Sequence, residues 1–179
     1  FTSCAKKPTM EMDEAKAAVE AVTKEGEVYA KDELKAVSDA LTAATDEVNA
    51  KSKKLFKGYG KAKEMLAKVK TDAEALKPVI AQRKEEAKNN AIAGQAKAKA
   101  AIEEAKALVA KAPRGKGTRA DIEAFKADLK ACDDSLAEVQ QAIDAENYLG
   151  AIEKATAITD KATGVSDQIK KAMGKVGRV

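Results

Sequence analysis

The sequence contains no histidine and no tryptophan, and only three phenylalanines and three tyrosines occur among its 179 residues. Without histidine the chain lacks the side chain most often used as a general base and as a transition-metal ligand near neutral pH. So few aromatic rings provide neither the filling of a wide globular core nor a platform for stacking bases. The two cysteines, Cys4 and Cys132, lie far apart in the sequence, which leaves no recognisable cysteine-based metal site. Only three prolines occur, so long stretches are free of helix breakers. No apolar run approaches the roughly 18 residues that a bilayer-spanning helix needs.

What fills the chain instead is alanine and charge. Alanine accounts for 39 residues, and charged side chains make up 35% of the sequence. Ala, Lys, Glu and Leu are the strongest helix formers, and chains rich in them with a helical period read as long helices or coiled coils. The fold class expected is all-α: an elongated antiparallel bundle of about five helices, packed as coiled-coil-like pairs. The 33 basic and 29 acidic side chains are interleaved, giving a net charge of +4. Interleaving of this kind describes solvated helix faces laced with i,i+4 pairs. A nucleic-acid binder more often carries a stripe of one sign with aromatic side chains.

The hydrophobic period places the helices. Leu34, Val37, Leu41, Ala44, Val48 and Leu55 follow alternating three- and four-residue steps, with Lys51 interrupting. Tyr59, Ala62, Leu66, Val69, Ala73, Leu76 and Ile80 resume the rhythm after Gly58-Tyr59-Gly60. Ile122, Phe125, Leu129, Cys132, Leu136, Val139 and Ile143 form a third seam, and Tyr148, Ala151, Ala155, Ile158, Ala162, Val165, Ile169 and Ala172 a fourth. A shorter first stretch, Met12, Ala15, Val19 and Val22, runs toward Gly26. Sustained a/d spacing marks helices that pack lengthwise on one another.

The seams repeat. A shift of 88 residues carries Leu34 to Ile122, Val37 to Phe125 and Leu41 to Leu129, and a shift of 89 carries Tyr59 to Tyr148 and Ala62 to Ala151. Two related helix-turn-helix units, about 31–80 and 119–173, are expected on this basis. The boundaries read as an N-terminal tether (1–8), a first helical unit (9–112), a linker (113–118) and a second helical unit (119–179). Pro8-Thr9 is expected to open the first helix and Gly26 to close it. The linker Pro113-Arg114-Gly115-Lys116-Gly117 precedes Thr118-Arg119-Ala120-Asp121, which has capping-box spacing. Residues 61–111 could form one helix approaching ~75 Å, bent at Pro78 and near Asn89-Asn90 and Gly94.

Chemistry-bearing candidates are few. No pair of carboxylates is isolated in an apolar setting, so no general acid or base can be nominated. No catalytic residue, cofactor site or metal site is assigned, and an enzyme is not expected. Gly115-Lys116-Gly117 lacks phosphate-loop spacing and reads as a basic connector. Tyr59 and Tyr148 are expected to fill the core where their helices begin. Cys132 reads as a small core residue equivalent to Ala44, with a Cys4–Cys132 disulfide as the rival.

Cys4 is the candidate modification site. Phe1-Thr2-Ser3-Cys4 resembles the tail of a bacterial lipobox, and Ala5-Lys6-Lys7-Pro8 looks like the polar tether that follows a lipid-modified cysteine. Lipobox processing makes the cysteine the first residue, so Phe1 to Ser3 conflict with it if they belong to the mature chain. The order of cysteine, tether, helix to a glycine and then Tyr29-Ala30-Lys31-Asp32-Glu33-Leu34 resembles a family of exported bacterial lipoproteins with an uncharacterised Ala/Lys/Glu-rich helical domain. Tyr59 with Ala62 matches the start of that family's second helix. The resemblance covers roughly residues 4–110, lacks the family's proline at position 31, and does not account for the second unit.

Taken together, the expectation is a non-enzymatic structural or adaptor protein of the bacterial envelope, a helical rod anchored in a membrane by a lipid on Cys4. It would sit at the outer membrane, in the periplasm or on the cell surface, and meet other envelope proteins. The alternatives are a self-assembling exported filament or surface-layer subunit, associating through its helix seams, and a weak nonspecific nucleic-acid or anionic-lipid binder. The latter would use Lys51-Ser52-Lys53-Lys54 and the 114–119 loop. No specific nucleic acid is expected as a partner.

Overall fold

The computed structural model describes residues 6–54, 58–112 and 119–176. Five α-helices follow one another: α1 (Thr9–Tyr29), α2 (Lys31–Ser52), α3 (Gly60–Lys111), α4 (Arg119–Asp144) and α5 (Tyr148–Val176). There is no strand among the described residues, and the fold is an all-α helical bundle. The chain divides into two compact units, residues 1–84 and 85–179. That division falls inside α3, away from the 113–118 segment where the sequence suggested a boundary. The reason is that α3 remains a single helix past Pro78, Asn89-Asn90 and Gly94. Its first part completes the core of α1 and α2, and residues 85–111 belong with α4 and α5. Leu55, the 113–117 connector, Thr118 of the capping box, and Phe1 to Cys4 lie outside the described residues.

In the first unit, α1 begins directly after Pro8, whose ring holds φ at −78°, close to the helical value. The Pro8 carbonyl accepts the Met12 N–H at 3.1 Å. Gly26 does not end this helix, which continues to Tyr29. The glycine serves packing instead. A Cβ at Gly26 would lie 3.2 Å from Cδ2 of Leu34, so any larger residue here would press on the Leu34 side chain where α1 meets α2. Ala30 alone connects them, with φ −149° and ψ 49°. Its N–H donates to Gly26 and its carbonyl accepts from Leu34, both at 2.8 Å.

Cross-helix ion pairs give the directions. Glu11 meets Lys63, Glu14 meets Lys70 and Glu25 meets Lys84, so α1 and this part of α3 run parallel, with α2 antiparallel to both. Leu34, Val37, Leu66, Val69, Leu76 and Ile80 are buried in one cluster with Met12, Ala15, Val19 and Val22, and Leu41 packs on it half-buried.

The second unit has the same plan. Gly94 lies against Ala155 and Glu104 pairs with Lys170, so residues 85–111 of α3 run parallel to α5. Gln95 bonds Gln140 and Lys106 pairs with Asp133, which sets α4 antiparallel to α3. Ile122, Leu129, Cys132, Ile158, Val165 and Ile169 are buried. Phe125, Leu136 and Ile143 are half-buried, and Ala172 is exposed. Late in α4 the interior positions are Val139 and Ala142. A straight α-helix drifts by about 20° per heptad against a strict seven-residue pattern, which turns Ala142 inward in place of Ile143.

The turn from α4 to α5 is a Schellman closure. Asn147 N–H reaches the Ala142 carbonyl at 2.8 Å and Glu146 N–H reaches Ile143 at 3.0 Å, with Glu146 at φ 56°. Asn147 Oδ1 then caps α5 by accepting the Gly150 N–H at 3.2 Å.

Burial extends the correspondence between the two halves. A shift of 83 residues places Ala15 on Ala98, Val19 on Ile102, Val22 on Ala105 and Gly26 on Val109, and all eight are buried. The first helix of unit 1 therefore matches residues 85–111 of α3. The helix-turn-helix pairs at 31–80 and 119–173 are the second and third helices of two three-helix units.

Candidate functional site

Tyr59, Tyr148 and Cys132 are placed in the core. Tyr59 is 3% exposed and Tyr148 is 7% exposed, so neither ring face is open to a ligand. Tyr59 stands just before α3 and its carbonyl accepts the Lys63 N–H at 2.9 Å. Cys132 is a free, buried thiol. Burial pushes its pKa upward, only partly offset by the charge of Lys161. A buried thiol that resists ionisation is a poor nucleophile and a poor metal ligand. Cys4, the proposed lipidation site, lies outside the described residues.

Charge is arranged for helix pairing. In the first unit α3 supplies the cations: Lys63 to Glu11 at 2.7 Å, Lys70 to Glu14 at 2.9 Å and Lys84 to Glu25 at 2.9 Å. Arg83 makes a two-pronged contact with both carboxylate oxygens of Glu33 and also donates to the Tyr29 carbonyl at 2.9 Å. In the second unit α5 supplies cations in the same manner: Lys154 to Glu138, Lys161 to Asp128 and Lys170 to Glu104. Hydrogen bonds from Lys63, Arg83 and Lys154 hold the carboxyls of Glu11, Glu33 and Glu138 below their ordinary pKa. Their partners' geometry is that of exposed pairs, each weak on its own.

The surface has shallow grooves in the second unit. One, of about 420 Å³, is lined by Ile122, Phe125, Asp128, Gln168 and Ile169. Its only carboxylates are Asp121 and Asp128, and Asp128 is engaged by Lys161 at 2.9 Å. Another, of about 530 Å³, runs between α3 and α4 beside Ile92, Leu136 and Gln140. Neither brings together a nucleophile and a base. Among the described residues no group of three or more His, Cys, Asp or Glu is placed to hold a metal ion. No helix among them is long and apolar enough to cross a membrane.

Sequence reasoning missed two features. The first is the seam Ala87, Ala91, Ala98, Ile102, Ala105 and Val109, whose steps of four, seven, four, three and four residues were visible but carried mostly by alanine. The second is that Lys6-Lys7 and Lys53-Lys54 belong to one end of the same unit. Comparison with protein-family models, curated proteins and solved structures returns no match.

Proposed function

We propose that this chain is a non-enzymatic structural or adaptor protein of the bacterial cell envelope, exported and tethered to a membrane by a lipid on Cys4. Its helical units would then stand in the periplasm or at the cell surface and meet partner proteins through their outer faces. The observation that carries this reading is where the chemistry lies. The cysteine and both described tyrosines at the helix starts are buried, and the surface is occupied by charge pairs that fix helix register. Such a surface presents shape and charge to a partner.

The same observation weighs against assembly of copies through open seams. The small residues that would allow close docking, Ala15, Ala44, Ala73, Ala98, Ala151 and Ala162, are each fully buried within the chain's own units. Their packing capacity is already used.

The test is the N-terminal mass of protein purified from its native host, alongside fractionation of a Cys4→Ala variant. The tether reading expects an acylated cysteine at the mature N-terminus and release of the variant from membranes. A mature chain that retains Phe1 with an unmodified Cys4 overturns it.

A further inference from the structure

Along much of the chain acidic and basic side chains alternate; they do not in residues 105–120, where Lys106 is held by Asp133, nor at one end of the first unit. Residues 6–10, 51–54 and 58–61 hold six lysines and no carboxylate. These stretches are distant in sequence, and the fold gathers them where α1 begins, α2 ends and α3 begins. The Glu11–Lys63 pair at 2.7 Å joins the first turns of α1 and α3, while Met12, Val48 and Tyr59 share the core beneath. Lys51 is engaged by Glu47 at 3.6 Å. The other five, Lys6, Lys7, Lys53, Lys54 and Lys61, are exposed and have no ion-pair partner among the described residues. At the opposite end of this unit, Lys24, Glu25, Glu27, Lys31, Asp32 and Glu33 mix both signs.

We infer that this end is a basic docking face for an anionic lipid surface. Two observations favour lipid over nucleic acid. Met10, 69% exposed, stands within the lysine cluster, as suits a face that meets the boundary between headgroups and acyl chains. The one described aromatic ring at this end, Tyr59, is buried and so offers no stacking surface for bases. The inference deepens the tether reading, because Cys4 lies two residues before Lys6. Lysines held at an anionic surface act within a Debye length of about 8–10 Å, and a lipid chain combined with a polybasic patch anchors more firmly than either signal alone.

The experiment uses the full chain carrying Cys4→Ser, so that no acyl group contributes. Its binding is followed by flotation with vesicles of equal parts phosphatidylglycerol and phosphatidylcholine, and with pure phosphatidylcholine, at low and high salt. The expected result is binding to the anionic vesicles alone, reversed by salt. Replacing Lys6, Lys7, Lys53, Lys54 and Lys61 with alanine is expected to weaken it at least ~100-fold, from about fivefold per lysine with incomplete additivity. Replacing the same five with arginine is expected to preserve it. A charge-matched control, with alanine at Lys16, Lys24, Lys31, Lys97 and Lys99, is expected to bind like the parent, and circular dichroism checks that each variant keeps its helices. Equal loss in the control, no preference for anionic vesicles, or equally lysine-dependent binding to duplex DNA at the same salt overturns the inference. Because the chain tested has no lipid, failure here leaves the N-terminal mass result intact. An unmodified Cys4 in the host likewise leaves the vesicle result intact.

Discussion

At the scale of single residues, the glycines separate by what surrounds them. Gly164 sits in the middle of α5 with nothing within 4 Å of where a Cβ would stand. It therefore carries the entropic cost of glycine in a helix and no packing role, and Gly164→Ala should stabilise the protein by about 0.5–1 kcal/mol. Gly26 faces Leu34 at 3.2 Å, so Gly26→Val should overpack the α1–α2 contact and cost about 1–3 kcal/mol. Urea denaturation of both variants checks the opposite signs; a loss in Gly164→Ala would sink the account of α5. Cys132 gives a second residue-scale prediction. Its burial and raised pKa should leave it unlabelled by a thiol reagent in the native state and labelled rapidly in urea. Mass mapping distinguishes it from Cys4. Rapid native labelling at Cys132 contradicts the core placement.

Among the elements, α3 carries its proline at an exposed position inside the helix. Pro78 cannot donate to the carbonyl four residues earlier, which deprives the Glu74 oxygen of its usual helical donor. Pro78→Ala should restore that bond and raise stability by up to ~3 kcal/mol, read as a higher urea midpoint with unchanged m-value. An unchanged midpoint would mean that the helix has already relaxed around the ring. This element also shows what was legible in the sequence. Seams built from leucine, isoleucine and valine, such as Leu34 to Val48 and Leu66 to Ile80, stand out against polar neighbours and were readable. The later part of α3 was not, because alanine lies on both its faces: Ala91 and Ala98 are buried while Ala96 and Ala100 are exposed. Alanine carries no contrast between inside and outside. Gly26 misled for a related reason, since a glycine after a seam usually ends a helix and here instead allows a close crossing. The lysine-rich end was hidden because its parts are brought together only by the three-helix packing.

For the molecule as a whole, both units share a tendency of charge: the third helix supplies cations to carboxylates on the other two, with Lys106 of α3 to Asp133 of α4 as an exception among the described residues. This pairing predicts how stability depends on pH. Glu11, Glu33 and Glu138 have pKa values below the ordinary 4.5 in the folded chain, chiefly through hydrogen bonds from Lys63, Arg83 and Lys154. A group with a lowered folded pKa contributes stability that is fully present above its unfolded value and is lost as pH falls through the folded one. The melting temperature should therefore be level near neutrality and fall below pH 4.5. On the alkaline side the sign reverses. Lys70, Lys161 and Lys170 have pKa values above the ordinary 10.5, held there first by hydrogen bonds to Glu14, Asp128 and Glu104. Their contribution is complete below 10.5 and disappears as pH rises through the raised values. A variant with glutamine at positions 11, 33 and 138 should melt lower at neutral pH and show a shallower acid limb, while its alkaline limb stays unchanged. An acid limb as steep as the parent's would show that these three pairs do not hold the helices in register.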